Sequence, residues 1–560
     1  MKKNHVFLII ILLVNIIPTM YSINQPFRGD ENVFVEAAKG VLKEGKPIYD
    51  HSLLKPNSQA LWHPPLYIYL ISLFIWIFGM SIYSIRAVSF MFNILTIILV
   101  YLISKEIFKG EKNSEKLSLL ATFIYALNPL TIQSSVIIDI DGGILNFFMY
   151  LFLYFFIKEK SYLYLIPSLL LVFLSKESGP IILFGSLLLF DLIKRDWKSL
   201  WKDILLFFVV LILFIDIFLI YTGFFNLDFL MPFKHNFSFL FNNQTISQGN
   251  FNWINSLWSL KSFAYFSIPF FIVLFLILSF IFYYRLIKEE KFTKKEMNQK
   301  ESNMLLLNII SILTIGLFFY LGANAWGFPK YYILSLPGMS IFVIYMLSKL
   351  NFFKRINRKD SLKIIIISIL FLAYFFFIVK DPLIPEFDST SKNTNIEEII
   401  FPVMKNFVLY FIIPLLTGFF MFCLLKSDYK ILFLLLTLTI ITSVYIDLVH
   451  TQVRYSTYIR YGETGVLETV KYIKDNNISS RNIATYPNIG SYIGMPNYTE
   501  IMWVYRNHEE FIEEIIKNEK IEYIIIFERD IERIGKENMD YFKLKEKIGS
   551  YYIFNKKVDL

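Results

Sequence analysis

Long apolar runs constrain this chain more than any other feature. Residues 204–221 are interrupted only by Asp216, and residues 263–283 and 364–379 carry no charge at all. A predominantly apolar run of about 18 residues or more is long enough to cross a bilayer as a helix. Helices that are apolar on every face belong in lipid or at the centre of a very large core. Only 18% of the 560 residues are charged and 55% are hydrophobic, whereas soluble domains average about 25% charged. The chain is expected to be an α-helical polytopic membrane protein.

Spans are expected near residues 5–23, 84–104, 117–137, 143–157, 161–175, 178–193, 203–222, 263–287, 303–321, 330–349, 361–379, 403–425 and 429–448, about 13 in all. The first follows Met1-Lys-Lys without a small-residue cleavage pattern, so it reads as an uncleaved span. The stretch 66–78 is short for a full crossing and reads as interfacial or re-entrant. The net charge of +9 comes largely from Lys and Arg between the apolar runs, at 105–116, 194–202, 285–300, 354–363 and 426–430. Such loops face the cytoplasm. The basic balance therefore sets topology, and nucleic acid is not an expected partner. The outer segments are then 24–65, the turns near 138–142 and 175–178, 223–262, 322–329, the acidic 380–402, and everything after 448. The Asn-x-Ser/Thr triplets at Asn236, Asn243, Asn477 and Asn497 all fall outside in this arrangement. The lone cysteine, Cys423, lies in an apolar run and reads as a small buried hydrophobe.

Residues 1–450 thus form a transmembrane domain with a first outer loop at 24–65 and a large one at 223–262. Residues 451–560 are more charged, and their apolar runs shrink to strand length. Helical periodicity at 463–474 and 509–518 alternates with strand-like 482–486 and Tyr523–Phe527, which predicts a small outer α/β domain.

Chemistry-bearing residues gather on the outer side. The first loop holds Asp30-Glu31, Glu36-Ala-Ala-Lys39 and Trp62-His63-Pro64-Pro65. Asp139-Ile-Asp141-Gly-Gly interrupts an apolar stretch, and ionisable groups at membrane depth are costly and usually functional. Ser175-Lys176-Glu177 lies between two apolar runs, and a lysine there suits an anionic phosphate. Phe233-Lys234-His235 lies in the large loop, where His235 is a candidate metal ligand; Lys330-Tyr331-Tyr332 opens a later span. Each also has a plainer reading as a solvated loop charge, a span end or an interfacial anchor. Together they place carboxylates and cations on one membrane face. Cations there can hold a phosphate leaving group, and a carboxylate can deprotonate an attacking hydroxyl. The cytoplasmic loops show no Walker motif and no nucleotide-sugar site.

The arrangement resembles the GT-C superfamily of glycosyltransferases, in the protein O-mannosyltransferase and aminoarabinose-transferase-like branch. The resemblance runs in order over residues 5–350. It covers Gly29-Asp30-Glu31 with Ala37-Ala38 and Gly45; His63-Pro64-Pro65-Leu66-Tyr67; Phe78-Gly79-Met-Ser81 with Arg86; Asn128-Pro129 with Asp141; Ser175-Lys176-Glu177; and Lys330-Tyr331-Tyr332 with Pro337. It implies a multi-pass fold with a small outer α/β domain. The implied activity is sugar transfer from a polyprenyl-phosphate donor to a hydroxyl of a protein, lipid or polysaccharide acceptor. By the resemblance Asp30 is the presumed base and Asp141 the second acidic position. Lys176 lies in the donor cavity, and His63 stands where a lysine is often found. Glu31, Glu177, Lys330 and Tyr331 complete the expected substrate contacts. His235 aligns loosely with a loop histidine of the family, which leaves a divalent metal as an open expectation. Oligosaccharyltransferase is a relative whose Trp-Trp-Asp motif has no counterpart, since no Trp-Trp pair occurs. A transporter or flippase is the alternative reading; it would place charges midway along spans and show two related halves, and neither pattern is evident.

Overall fold

The computed structural model describes residues 3–23, 29–49, 58–234, 268–289, 297–321, 330–350, 352, 358–379, 408–422, 430–453, 465–493, 499–500, 515–527, 531 and 540–557. His235, Cys423, the sequons at 236, 243 and 497, the acidic segment 380–402 and most of 509–518 lie outside the described residues. The chain forms two compact units. The first is Met1–Ile23, Trp62–Tyr67 and Arg86–Gln452; the second is Asn24–Leu61, Ile68–Ile85 and Val453–Leu560.

The first unit is helical. Its elements are α1 (Lys3–Ser22), most of α4 (Ile82–Ile107), α5 (Ser114–Leu127), α6 (Pro129–Val136), α7 (Asn146–Ile157), α8 (Tyr162–Ser175), α9 (Ser178–Lys194), α10 (Trp197–Phe225), α11 (Pro269–Lys288), α12 (Gln299–Tyr320), α13 (Leu336–Lys349), α14 (Arg358–Tyr374), α15 (Ile413–Phe422) and α16 (Lys430–Val453). Among the described residues seven helical segments are long and apolar enough to cross a membrane, and five shorter apolar helices accompany them. The span expected at 117–137 is broken: α5 and α6 meet at 59°. Pro129 supplies no N–H to continue α5, and the Asn128 side chain accepts from Leu130 N–H at 3.0 Å, capping the new helix.

Buried polar side chains join the helices. Asn15 donates to the Ala126 carbonyl and Asn93 donates to Asn15, both at 3.0 Å. The Thr19 and Ser135 hydroxyls lie 2.7 Å apart. Bonds of this kind hold apolar helices together in lipid, where the hydrophobic effect gives no drive for association. The α12–α13 crossing depends on Gly338. A β-carbon there would lie 2.9 Å from the Leu307 carbonyl oxygen and 2.6 Å from Ser311 Oγ. The Tyr150 hydroxyl accepts from Gly338 N–H and donates to the Leu334 carbonyl, both at 3.0 Å.

The second unit carries α2 (Gly29–Glu44), the short pair β1 (Ile48–Tyr49) and β2 (Ser58–Gln59), and most of α3 (Leu66–Phe78). Tyr69 and Ser72 on α3 donate to the carbonyls of Gly45 and Ala38, at 2.7 and 3.1 Å, and so fix α2. Its C-terminal part is a five-stranded sheet with α17 (Val466–Asp475), β3 (Ile483–Thr485), α18 (Pro487–Ile493), β4 (Thr499–Glu500), β5 (Tyr523–Phe527), β6 (Phe542–Ile548) and β7 (Tyr551–Lys556), in the strand order β4-β3-β5-β7-β6. The β4-β3-β5 pairs are parallel, and β7 and β6 close the sheet as an antiparallel hairpin. The apolar face of α17 joins Ile483, Ile525, Tyr551 and Ile553 in its core. The alternating α/β tail is therefore present, and the hairpin β6–β7 adds two strands that sequence reading did not find.

Gly338→Ala should force α12 and α13 apart and destabilise the helical unit by about 1–3 kcal/mol, the usual scale for overpacking. Thermal unfolding in detergent checks this: a melting temperature equal to wild type would show that the crossing tolerates a methyl group.

Candidate functional site

The acidic motif sits in a break between helices. After α6 ends at Val136, the chain runs to a π-helical turn at Asp141–Leu145, which leads into α7. Gly143 (φ −83°, ψ −109°) departs from helical geometry and makes the kink. At Gly142 a β-carbon would lie 2.4 Å from Ser134 Cβ, so only glycine fits against α6. This tight turn buries both carboxylates: Asp139 is 2% and Asp141 0% exposed.

Two lysines come to meet them from distant parts of the chain. Lys176 follows α8 in an extended conformation (φ −166°, ψ 145°) just before α9 begins. Its ammonium donates to Asp141 Oδ2 at 2.6 Å. Lys330 opens the short 3-10 turn Lys330–Ser335 ahead of α13, and its Nζ lies 3.6 Å from Asp139 Oδ1. Tyr331 ties the pairs together. Its ring centre is 4.3 Å from the Lys176 ammonium and 5.5 Å from that of Lys330, and its plane stacks on Phe318 at 5.0 Å. A ring within about 6 Å of a cation attracts it through its quadrupole. Beside this group His63 Nδ1 and Glu177 Oε2 lie 2.9 Å apart.

The electrostatics follow from burial. Two ammonium and two carboxylate groups in one apolar setting cancel in formal charge, and none is affordable there without a counter-ion. Burial raises the Asp139 carboxyl above its ordinary range, against the pull of Lys330. Burial works against the Lys176 ammonium as well, but the Asp141 carboxylate and the Tyr331 ring leave its pKa above the usual lysine value. Asp141 Oδ1 is buried and has no hydrogen-bond partner among the described residues. The Gly142 N–H donates to Asp139 Oδ2 at 3.2 Å, which fixes that carboxylate against the turn.

Of the residues expected from sequence, Asp141, Lys176, Lys330 and Tyr331 come together, with His63 and Glu177 as a neighbouring pair. Asp30 lies in the first turn of α2, and its side chain is outside the description. Glu31, next to it, is buried at 1% exposure. His235 is outside the described residues, and among those described no group of three or more His, Cys, Asp or Glu could hold a metal ion. Sequence reading noticed Asp139 without assigning it to the site; its spacing of two from Asp141 was the available signal. Phe318 gave no signal, being one phenylalanine among many in an apolar span.

Residues 62–221 match the family model of dolichyl-phosphate-mannose-protein mannosyltransferases. That segment contains His63, both aspartates, Lys176 and Glu177. The whole chain is similar to the crystal structure of ArnT from Cupriavidus metallidurans bound to undecaprenyl phosphate, at 12% identity and a TM-score of 0.57 over 99% of this chain and 98% of that one. The apo structure of the same protein gives a TM-score of 0.54 at 12% identity, over 98% and 97% of the two chains. No curated protein sequence matches significantly. The chain has the GT-C fold. The segment 62–221 is thus similar to a family of glycosyltransferases, and the helical unit is that of a multi-pass membrane protein. The Lys176–Asp141 and Lys330–Asp139 pairs lie in the helical unit that shares this fold.

Removing one member of the tight pair leaves the other charged and buried. Lys176→Met should lower stability by about 3–5 kcal/mol, and Lys176→Met with Asp141→Asn should recover much of it. Thermal unfolding of both variants checks this; equal melting temperatures for the single and double variants would mean that the pair is energetically idle.

Proposed function

We propose that the chain transfers a sugar from a polyprenyl-phosphate-linked donor to an acceptor hydroxyl on the outer face of the membrane, with Asp30 as the base. The observation that carries this reading is the approach of Lys176 and Lys330 to the Tyr331 ring, at 4.3 and 5.5 Å, beside two buried carboxylates. Two ammonium groups near one ring suit a phosphate that departs with added negative charge. The names of the similar proteins support this donor class: one family acts with dolichyl-phosphate mannose, and the ArnT structure holds undecaprenyl phosphate.

In the reaction, the acceptor hydroxyl attacks the anomeric carbon. The new oxygen–carbon bond forms as the bond from that carbon to the phosphate oxygen breaks. The hydroxyl proton passes to the Asp30 carboxylate, and polyprenyl phosphate leaves with the bonding electrons. In-line attack of this kind inverts the anomeric centre. Asp141 orients Lys176 through Oδ2 and offers Oδ1 to a substrate hydroxyl. His63, held by Glu177, stands at the position where the family often has a lysine, and Glu31 supports the acceptor side. Residues 451–560 form the outer domain in this reading, and the tail of the donor lies among membrane lipids. The acceptor is a protein, a lipid or a polysaccharide.

The test is transfer of label from radiolabelled polyprenyl-phosphate sugars by purified protein with native membrane extract. Label should enter a lipid, protein or polysaccharide fraction, and Asp30→Asn should reduce transfer by about 10²–10⁴-fold, the range for losing a general base. Undiminished transfer by Asp30→Asn would remove that residue from the chemistry. Flux of the donor across proteoliposomes without turnover would favour a flippase instead.

A further inference from the structure

A second pair of buried carboxyls lies where α9 turns back into α10. The connection is only Arg195 and Asp196. Arg195 closes α9 in the left-handed conformation (φ 54°), and the Asp196 side chain caps α10 by accepting from Ser199 N–H at 3.1 Å. Asp196 N–H donates to the Asp191 carbonyl at 3.0 Å, which ties the turn to the last turn of α9. The hairpin so fixed sets Asp191 of α9 against Asp203 of α10, and their side chains are within hydrogen-bonding reach of each other. Asp191 is 1% and Asp203 7% exposed. Both carboxyl oxygens of Asp191 and Oδ2 of Asp203 are enclosed without a bonded donor among the described residues, and the Ser199 hydroxyl comes near Asp191 without bonding it. Neither carboxyl forms an ion pair with a described lysine or arginine. Lys194, Lys202 and Asp196 act on the two from further off. α8, which packs on both helices, carries no charged residue, and α12, which packs on α9, carries only Lys300 and Glu301. Lys300 pairs with Glu111 at 3.5 Å. Two carboxylates in contact in such a setting repel each other with nothing to offset the cost. An ionised carboxylate only accepts, so a hydrogen bond between the two groups requires a proton on one of them.

We propose that Asp191 and Asp203 hold one proton between them, as an acid–carboxylate clamp that joins α9 to α10 and opens when the proton is lost. One carboxyl donates its O–H and the other accepts as a carboxylate, a charge-assisted bond stronger than one between neutral groups. The proton belongs to the pair and to neither residue alone. The clamp gives the hairpin a pH dependence of definite sign. The folded chain keeps a proton that aspartates of the unfolded chain release at neutral pH, so stability falls as the pH rises far enough to remove it. Two carboxylates then face each other; Asp196 adds to their repulsion, while Lys194 and Lys202 oppose it. The segment 194–202 is basic, of the kind that faces the cytoplasm, so cytoplasmic pH is what the clamp follows. It fastens the far end of α9, the helix that begins two residues after Lys176.

Infrared spectroscopy of the purified full-length protein in detergent at neutral pH tests this, because a protonated carboxyl absorbs apart from the ionised aspartates and glutamates. Asp191→Asn and Asp203→Asn should each remove the absorbance of one protonated carboxyl, and the double variant should remove no more than either alone. In each single variant the asparagine amide donates to the remaining carboxylate, so the hairpin stays joined. The melting temperature of wild type should also fall more steeply with rising pH than that of either single variant. Serine, which also donates, replaces asparagine at a position where the amide variant does not fold. A loss that doubles in the double variant would mean that two protons are held. No loss would mean that both carboxyls are ionised, with a bound cation in the proton's place. Either result, or a pH dependence shared equally by wild type and variants, would overturn the clamp.

Discussion

The buried Lys176–Asp141 pair is the contact on which the rest of the site depends. Taking a carboxylate and an ammonium out of water costs several kcal/mol per ion even after relaxation. Asp141 is fully buried, so the fold must bring a cation to it or leave it protonated. The chain meets this demand with local geometry. The break between α6 and α7 turns the carboxylate inward, and the extended backbone at Lys176 carries the ammonium 2.6 Å from it. Gly142 permits the turn because no side chain could stand against Ser134. Backbone that is not helical is tolerated at membrane depth only where protein encloses it, and Ile138, Ile140, Ile144 and Leu145 of this stretch are all buried.

The helical architecture was legible because its cause is one-dimensional. Apolar runs of span length leave few alternatives, and the basic segments between them punctuate the chain. Pairing across the chain is another matter. Nothing in the sequence says that Lys330 faces Asp139 rather than Asp141, because that choice is made by how α13 crosses α12. Gly338 makes the close crossing possible, yet a glycine in an apolar run has many readings. The kink at Asn128-Pro129 carried a signal, a proline after a capping residue, but continuous apolarity on both sides outweighed it. The same bias hid the 3-10 turn at Lys330–Ser335, which reads as the first turn of a span.

The tail shows a complementary failure. Tyr523–Phe527 is found from sequence because four of its five residues are buried, which makes a solid apolar run. The strand Phe542–Ile548, Phe-Lys-Leu-Lys-Glu-Lys-Ile, is an edge strand with five of its seven residues exposed. Its lysines follow from that position. Charge on an outer strand discourages pairing with another chain, so the residues that protect the edge also erase the apolar alternation by which a strand is recognised.

The arrangement of charges bears on how these helices pack at all. Two lysines in one apolar bundle would repel each other and resist burial. Supplying each with an aspartate makes the group neutral in formal charge, so the helices can close around it. The pairs also tie together parts of the chain that are far apart in sequence. Lys176 fixes the start of α9 to the π-helical turn at Asp141, and Lys330 brings the turn ahead of α13 to Asp139. Breaking the buried, hydrogen-bonded pair would leave a charge without its counter-ion, so the cost of burying these groups is also what holds the break between α6 and α7 in place.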